Sequence, residues 1–313
     1  MLGRTAAGLF WMARYLERAE NTTRLAEAGF RMALTRAESD TEEWRSVVTT
    51  AGCNAAYMEK YETFQSDRVM DFVLRDKDNP NSVLNALHSA RENARMTRTA
   101  LTREVWEALN DTWMSVRDAL RRPIAERNLP EVLSLVRAQA AQVRGAVTGT
   151  MLRNDIYDFM QIGTLIERAD NTARILDTKY YVLLPSSASI GSSLDNVQWE
   201  MILRSASADR SFYWLNGGNA SPLAIADFLI FDARLPRSLA FCYDMITDYM
   251  KRLELEYGGG AGSHELAIRQ ENLLSSLTIA RVFENGLHEF LTGFMAQNGA
   301  LSAQLEADYR FYE

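Results

Sequence analysis

The chain has 313 residues, 47% of them hydrophobic, and a formal net charge of −7. That apolar content can build a sizeable core and excludes a disordered polymer, while the acidic balance argues against general binding to nucleic acid or to an anionic membrane. No apolar run is long enough to cross a bilayer, and Met1–Gly8 lacks the layout of a signal peptide, so a soluble, cytoplasmic protein is expected.

In chain order the pattern is helical throughout, and six prolines do little to interrupt it. The first predicted helix runs from about Thr5 to Glu38 and breaks at Ser39-Asp40-Thr41. Thr41 can cap a second, with Glu42 and Glu43 in its first turn and Trp44, Val47 and Val48 on its buried side. Short pieces follow near Tyr57–Thr63 and Asp67–Arg75. Ser82 then caps a helix through Thr99, Thr102 caps one carrying Trp106 and Trp113, and another spans Glu131 to about Val147. The second half begins near Asp155 with a helix through Tyr181. Ser186–Asn196 reads as a loop and Trp199 opens a helix. Asn216–Asn219 reads as a turn, and Ser221-Pro222 starts another helix. Pro236 is expected to kink a helix, Gly258–Gly262 to be a loop, and the last long helix to span about His264 to Gln297. Cys53 and Cys242 read as reduced core residues.

One stretch occurs twice. Leu16–Glu27 and Ile166–Asp177 share six identical pairs: Glu17/Glu167, Arg18/Arg168, Ala19/Ala169, Asn21/Asn171, Thr22/Thr172 and Arg24/Arg174. Glu20/Asp170 and Glu27/Asp177 keep the charge. On a helical wheel Leu9, Met12, Leu16, Ala19 and Thr23 form a buried stripe that includes Glu20. Glu17, Asn21 and Arg24 line one side of it, and Arg18 points away; the second copy repeats the arrangement with Arg168. A carboxylate in such a stripe must be paired. Two readings stay open: interhelical salt bridges, or two motifs lining one polar cleft, as inward-facing polar side chains do in functional bundles.

Two weaker blocks extend the match, Trp44–Ala51 with Trp199–Ala206, and Val83, Leu87 and Arg95 with Ile225, Leu229 and Arg237. Together they predict an all-α fold of two tandem helical units, residues 1–150 and 151–313, related by internal duplication and packed as one pseudo-twofold bundle. Other polar clusters are Arg91-Glu92-Asn93 with Arg95, and Asp232 with Arg237. Those arginines either form solvated pairs, or face the motif carboxylates or bind an anionic ligand, with Arg95 and Arg237 the first candidates to meet Glu20 and Asp170. His88, His264 and His288 stand in no metal-binding pattern, and neither a phosphate-binding loop nor any other catalytic motif is present, so no metal or cofactor is called for.

Leu9–Asn21, Ala90–Arg95, Asp158–Asp170 and Pro236-Arg237-Ser238 together resemble the signatures of the bacterial alpha-E family, over essentially the whole chain. The resemblance implies an all-helical protein, encoded beside or fused to circularly permuted ATP-grasp ligases and transglutaminase-like proteases. It thereby implies a part in making or processing amide bonds in peptides. The expected function is a binding subunit of such a ligase, or of its peptide substrate. One alternative is an enzyme using Glu17, Glu20, Glu167 and Asp170 as acid/base or metal-binding groups; another is a helical scaffold.

Overall fold

The computed structural model describes residues 1, 3–34, 41–182, 193–217, 220–258 and 262–312; at 41, 178–182 and 193–197 only the backbone is described. Among the described residues there are fifteen α-helices, two 3-10 turns and no strand. In chain order the helices are α1 (Gly3–Ala33), α2 (Thr41–Thr50), α3 (Asn54–Lys60), α4 (Ser66–Arg75), α5 (Val83–Met96), α6 (Arg103–Ala119), α7 (Leu129–Thr150) and α8 (Asp155–Val182). They continue with α9 (Ser193–Ser205), α10 (Asp209–Asn216), α11 (Pro222–Phe231), α12 (Leu239–Tyr257), α13 (Gly262–Ser276), α14 (Ile279–Asn285) and α15 (Leu287–Asp308).

Local chemistry sets many of these ends. The hydroxyls of Ser82, Thr102, Ser221, Ser238 and Thr278 each accept a hydrogen bond from a first-turn N–H of α5, α6, α11, α12 and α14. Asp155 and Asp158 stand in the first turn of α8, where the helix dipole favours them.

The two long motif helices lie at the centre. α1 packs on α8, α5, α7, α2, α9 and α4; α8 packs on α1, α12, α15, α2 and α9. Around α1, α5 contacts α6 and α6 contacts α7; around α8, α12 contacts α13 and α13 contacts α15. Gly163 lets α1 and α8 meet, since a Cβ there would stand 2.4 Å from the carbonyl oxygen of Phe10. One continuous apolar core runs from Ala6 to Phe311. The Phe311 ring reaches both motif helices, with its centroid 5.5 Å from that of Phe10 and 6.1 Å from that of Phe159.

Several expectations change. Trp199 lies in the middle of α9, not at its start, because that helix already begins at Ser193; of the expected 186–196 loop, residues 186–192 lie outside the described residues. Pro236 kinks no helix: it lies in the connection between α11 and α12, which Ser238 closes by donating from Oγ to the carbonyl of Asp232. The expected 264–297 helix is three helices, broken by the Thr278 cap and by Gly286 at φ 99°, a backbone conformation side chains resist. Ser39, Asp40, Gly218 and Gly259–Ala261 lie outside the described residues.

Candidate functional site

The two copies of the motif face each other across the α1–α8 contact, and their Glu-Arg pairs are exchanged. Arg168 donates from Nε to Oε1 of Glu17 at 3.0 Å and from Nη2 to Oε2 at 3.1 Å. Arg18 makes the same two bonds to Glu167, at 2.6 and 3.0 Å. These are bidentate, charge-assisted pairs between buried carboxylates and planar guanidinium forks. Arg18 and Arg168 therefore do not point away from the core, as the helical wheel suggested. Their long side chains bend across the interface, which a wheel of Cα positions does not capture.

The first motif carries a denser cluster. Glu17 and Glu20 are buried side by side. Glu17 also lies 3.1 Å from Nη1 of Arg237, and Glu20 accepts from Arg24, Arg144 and Arg237. Burial alone would push the Glu17 carboxyl up, but the facing charges of Arg168, Arg237 and Arg144 hold it well below the usual carboxylate range. Burial and the Glu17 charge likewise oppose ionisation of Glu20, and Arg144 and Arg237 outweigh them. Glu167 stays low for the same reason, with Arg18 and Arg14 offsetting burial. Arg237 shows the cost of this crowding: burial, together with Arg168 and Arg24 beside it, pulls it down to about 10 despite Glu17. Asp170 differs from its counterpart: it is only partly buried and pairs within its own helix with Nε of Arg174 at 2.6 Å.

Arg237 is thus a partner of Glu20, as expected, but Arg95 is not. Arg95 sits on the surface of α5 with Glu92. Arg91 binds Asn110 and Glu92, and Asn93 caps the carbonyl of Ser89, so this group lies apart from the motifs. Asp232 pairs with Arg234 in its own turn. The reason lies in the alignment. Asp71–Val83 (DFVLRDKDNPNSV) matches Asp227–Leu239 (DFLIFDARLPRSL) without a gap, which sets Asn81 against Arg237 and the Ser82 cap against Ser238. Asn81 indeed accepts from Nη1 of Arg18 at 3.0 Å. The earlier pairing of Val83 with Ile225 joined the start of α5 to the middle of α11. Arg144, from α7, had no sequence signal at all.

A polar cleft of about 160 Å³ opens beside the second motif, lined by Arg18, Asn21, Asn81, Glu167, Asp170, Asn171 and Arg174 together with the α2 end at Thr50–Gly52. Its charged side chains, two arginines and two carboxylates, balance. Asn21 is buried and accepts at Oδ1 from Nη1 of Arg237 at 2.9 Å. An arginine can only donate, so the amide orientation is fixed. Its Nδ2 is buried and has no acceptor.

Fold and site together define an all-helical protein whose two central helices are joined by exchanged Glu-Arg pairs. The chain belongs to the Alpha-E family, described as a predicted alpha-helical domain with a conserved ER motif, which matches residues 1–309. Similar proteins include an uncharacterized protein of Mycobacterium bovis and two of Mycobacterium tuberculosis, each 27% identical over 288 residues. The match covers 83% of this chain and 30% of each relative, so the chain spans under a third of their length. No solved structure matches. Among the described residues no helix is long and apolar enough to cross a membrane.

Proposed function

We propose that the chain is a binding subunit working with an ATP-grasp-type, amide-forming ligase, and that the cleft beside the second motif holds a peptide. The observation that carries this is Asn21. A buried donor without a partner costs about 1–3 kcal/mol. Nδ2 has no exposed surface in the cleft, so a ligand carbonyl would recover that cost once a small shift of the cleft-lining side chains uncovers it, and Asn81 and Asn171 supply further amide groups in the same cleft. The ligase partner rests on the family's association with ATP-grasp ligases and transglutaminase-like proteases. The greater length of the relatives accords with additional domains in them.

The charge state of the motif favours binding over acid/base chemistry. Glu17, Glu20 and Glu167 are each held ionised by at least two arginines, whereas a general acid needs a raised pKa and a metal ligand needs free lone pairs. We also read the chain as a duplicated unit about a pseudo-twofold axis. In support, contacts of the form i-to-j and j-to-i are the mark of a twofold relation, and the exchanged Glu-Arg pairs have that form. α2 and α9, the helices that follow α1 and α8, also each touch both motif helices.

Asn21→Asp tests the binding reading, because it keeps the acceptor for Arg237 and removes the donor. The chain should co-purify with an ATP-grasp protein from its own cell and raise that protein's ligase activity. Asn21→Asp should lose the enhancement while melting within a few degrees of the parent. Peptide turnover by the isolated chain would end the accessory reading.

A further inference from the structure

A second cleft, of about 370 Å³, adjoins the Glu20 cluster where α1, α7 and α9 converge. It is lined by Arg24, Arg31, Arg137 and Arg204, with Glu27 and Asp209 as its carboxylates. Two of these arginines have carboxylates beyond the wall, Arg24 with Glu20 and Arg204 with Glu200 at 3.5 Å. Counted through Glu17 and Glu20, the connected network among the described residues holds seven arginines against five carboxylates, an excess of two in a chain whose net charge is −7. The cleft beside the second motif is balanced, so the two differ in the ligand they suit.

The carboxylates here are shared among too many arginines. Glu27 serves both Arg31, at 2.8 Å, and Arg137, at 3.2 Å. Glu20 serves Arg24, Arg144 and Arg237. Nε of Arg137 is buried and donates no aligned hydrogen bond, although Glu27 lies beside it. Arg31 and Arg204 are about half exposed, and the Arg204 pair with Glu200, at 3.5 Å, is long and solvent-facing, so both guanidinium groups can turn to a ligand. Ser207, at φ 52°, places its hydroxyl against Arg24 at the cleft wall.

We infer that this cleft binds a phosphate-class dianion, either free phosphate or a phosphate monoester, clamped by Arg31, Arg137 and Arg204. The charge excess matches a dianion. The three forks come from three helices, an arrangement that suits a tetrahedral group with oxygens in several directions better than a planar carboxylate, which one fork already satisfies. The volume is within the usual range for small-ligand sites. The inference is independent of the peptide cleft.

Isothermal titration of the full chain at constant ionic strength tests it, with inorganic phosphate, glycerol 3-phosphate and succinate as probes. Phosphate should bind saturably at one site. Arg137→Gln and Arg204→Gln should each weaken it about tenfold, the loss of one charge-assisted bond. Glu27→Gln should tighten it, since it removes the competing anion; a merely structural role for Glu27 would not produce a gain. Tighter binding of the ester identifies a monoester as the ligand, and tighter binding of phosphate identifies the free ion. Absence of saturable binding, unchanged affinity across the three variants, or succinate binding as tightly as phosphate would each overturn the inference.

Discussion

Arg168 grips both carboxylate oxygens of Glu17 from the opposite motif helix, at 3.0 and 3.1 Å, inside the α1–α8 interface. The pair is buried, so its two members depend on each other. A fully stranded buried charge costs about 3–5 kcal/mol; Arg237 and Arg144 also face Glu17, so the loss of one arginine falls toward the lower end of that range. Arg168→Ala and Arg237→Ala should each lose stability on that scale in urea titration, and Arg168→Ala should lower the melting temperature by many degrees.

Arg95→Ala gives the contrast. Its pair with Glu92 is solvent-facing and within one helix, so the expected change is under about 1 kcal/mol. A large loss in this variant would mean that α5 contacts the motif cluster in solution.

Glu17→Gln and Glu167→Gln conserve shape but not charge. Each takes a negative charge from among two or more arginines, so stability should fall before any binding is tested. Equal melting temperatures for parent and variants would show that the cluster is hydrated.

The pH dependence has two opposing parts. Glu17, Glu20 and Glu167 have folded pKa values below the unfolded ones, so the unfolded state binds more protons between the two. Their contribution is present above about pH 4.5 and is lost as pH falls through the folded values. Asp158 has the other sign. Burial pushes its carboxyl up to about 6, against the Arg252 charge 2.8 Å away. Its contribution is complete below the unfolded value, near 4, and is lost as pH rises through about 6. Asp158→Asn should therefore flatten the stability profile between pH 4 and 6 and leave the acid limb in place; chemical denaturation across pH 3–8 measures both.

Two glycines give a paired test of the helix crossing. A methyl at Gly163 would meet the Phe10 backbone oxygen at 2.4 Å, so Gly163→Ala should force α1 and α8 apart and cost about 1–3 kcal/mol or more. Gly145, on the exposed side of α7, has open space around its Cβ position. Gly145→Ala should stabilise by about 0.5–1 kcal/mol, because alanine is the better helix former.

The sequence by itself determined the helical class, since period-3.6 patterning and cap residues such as Ser82, Thr102 and Ser221 act over a few residues and need no partner. It also determined which polar residues matter most, because Glu17, Arg18, Asn21 and their counterparts recur at fixed spacing. Tertiary structure decided what those residues do. A wheel cannot say that Arg18 and Arg168 cross to the other helix, because a long side chain is directed by the charge it can reach rather than by its Cα angle. Arg144 joins the cluster from α7, more than 120 residues along the chain from Glu20, and only the packing of α7 on α1 brings it there. Asn81 and Arg237 fall between: the match of 71–83 to 227–239 is written in the sequence. That Asn81 accepts from Arg18 of its own half while Arg237 reaches across to Glu17 follows from the packing around α1 and α8.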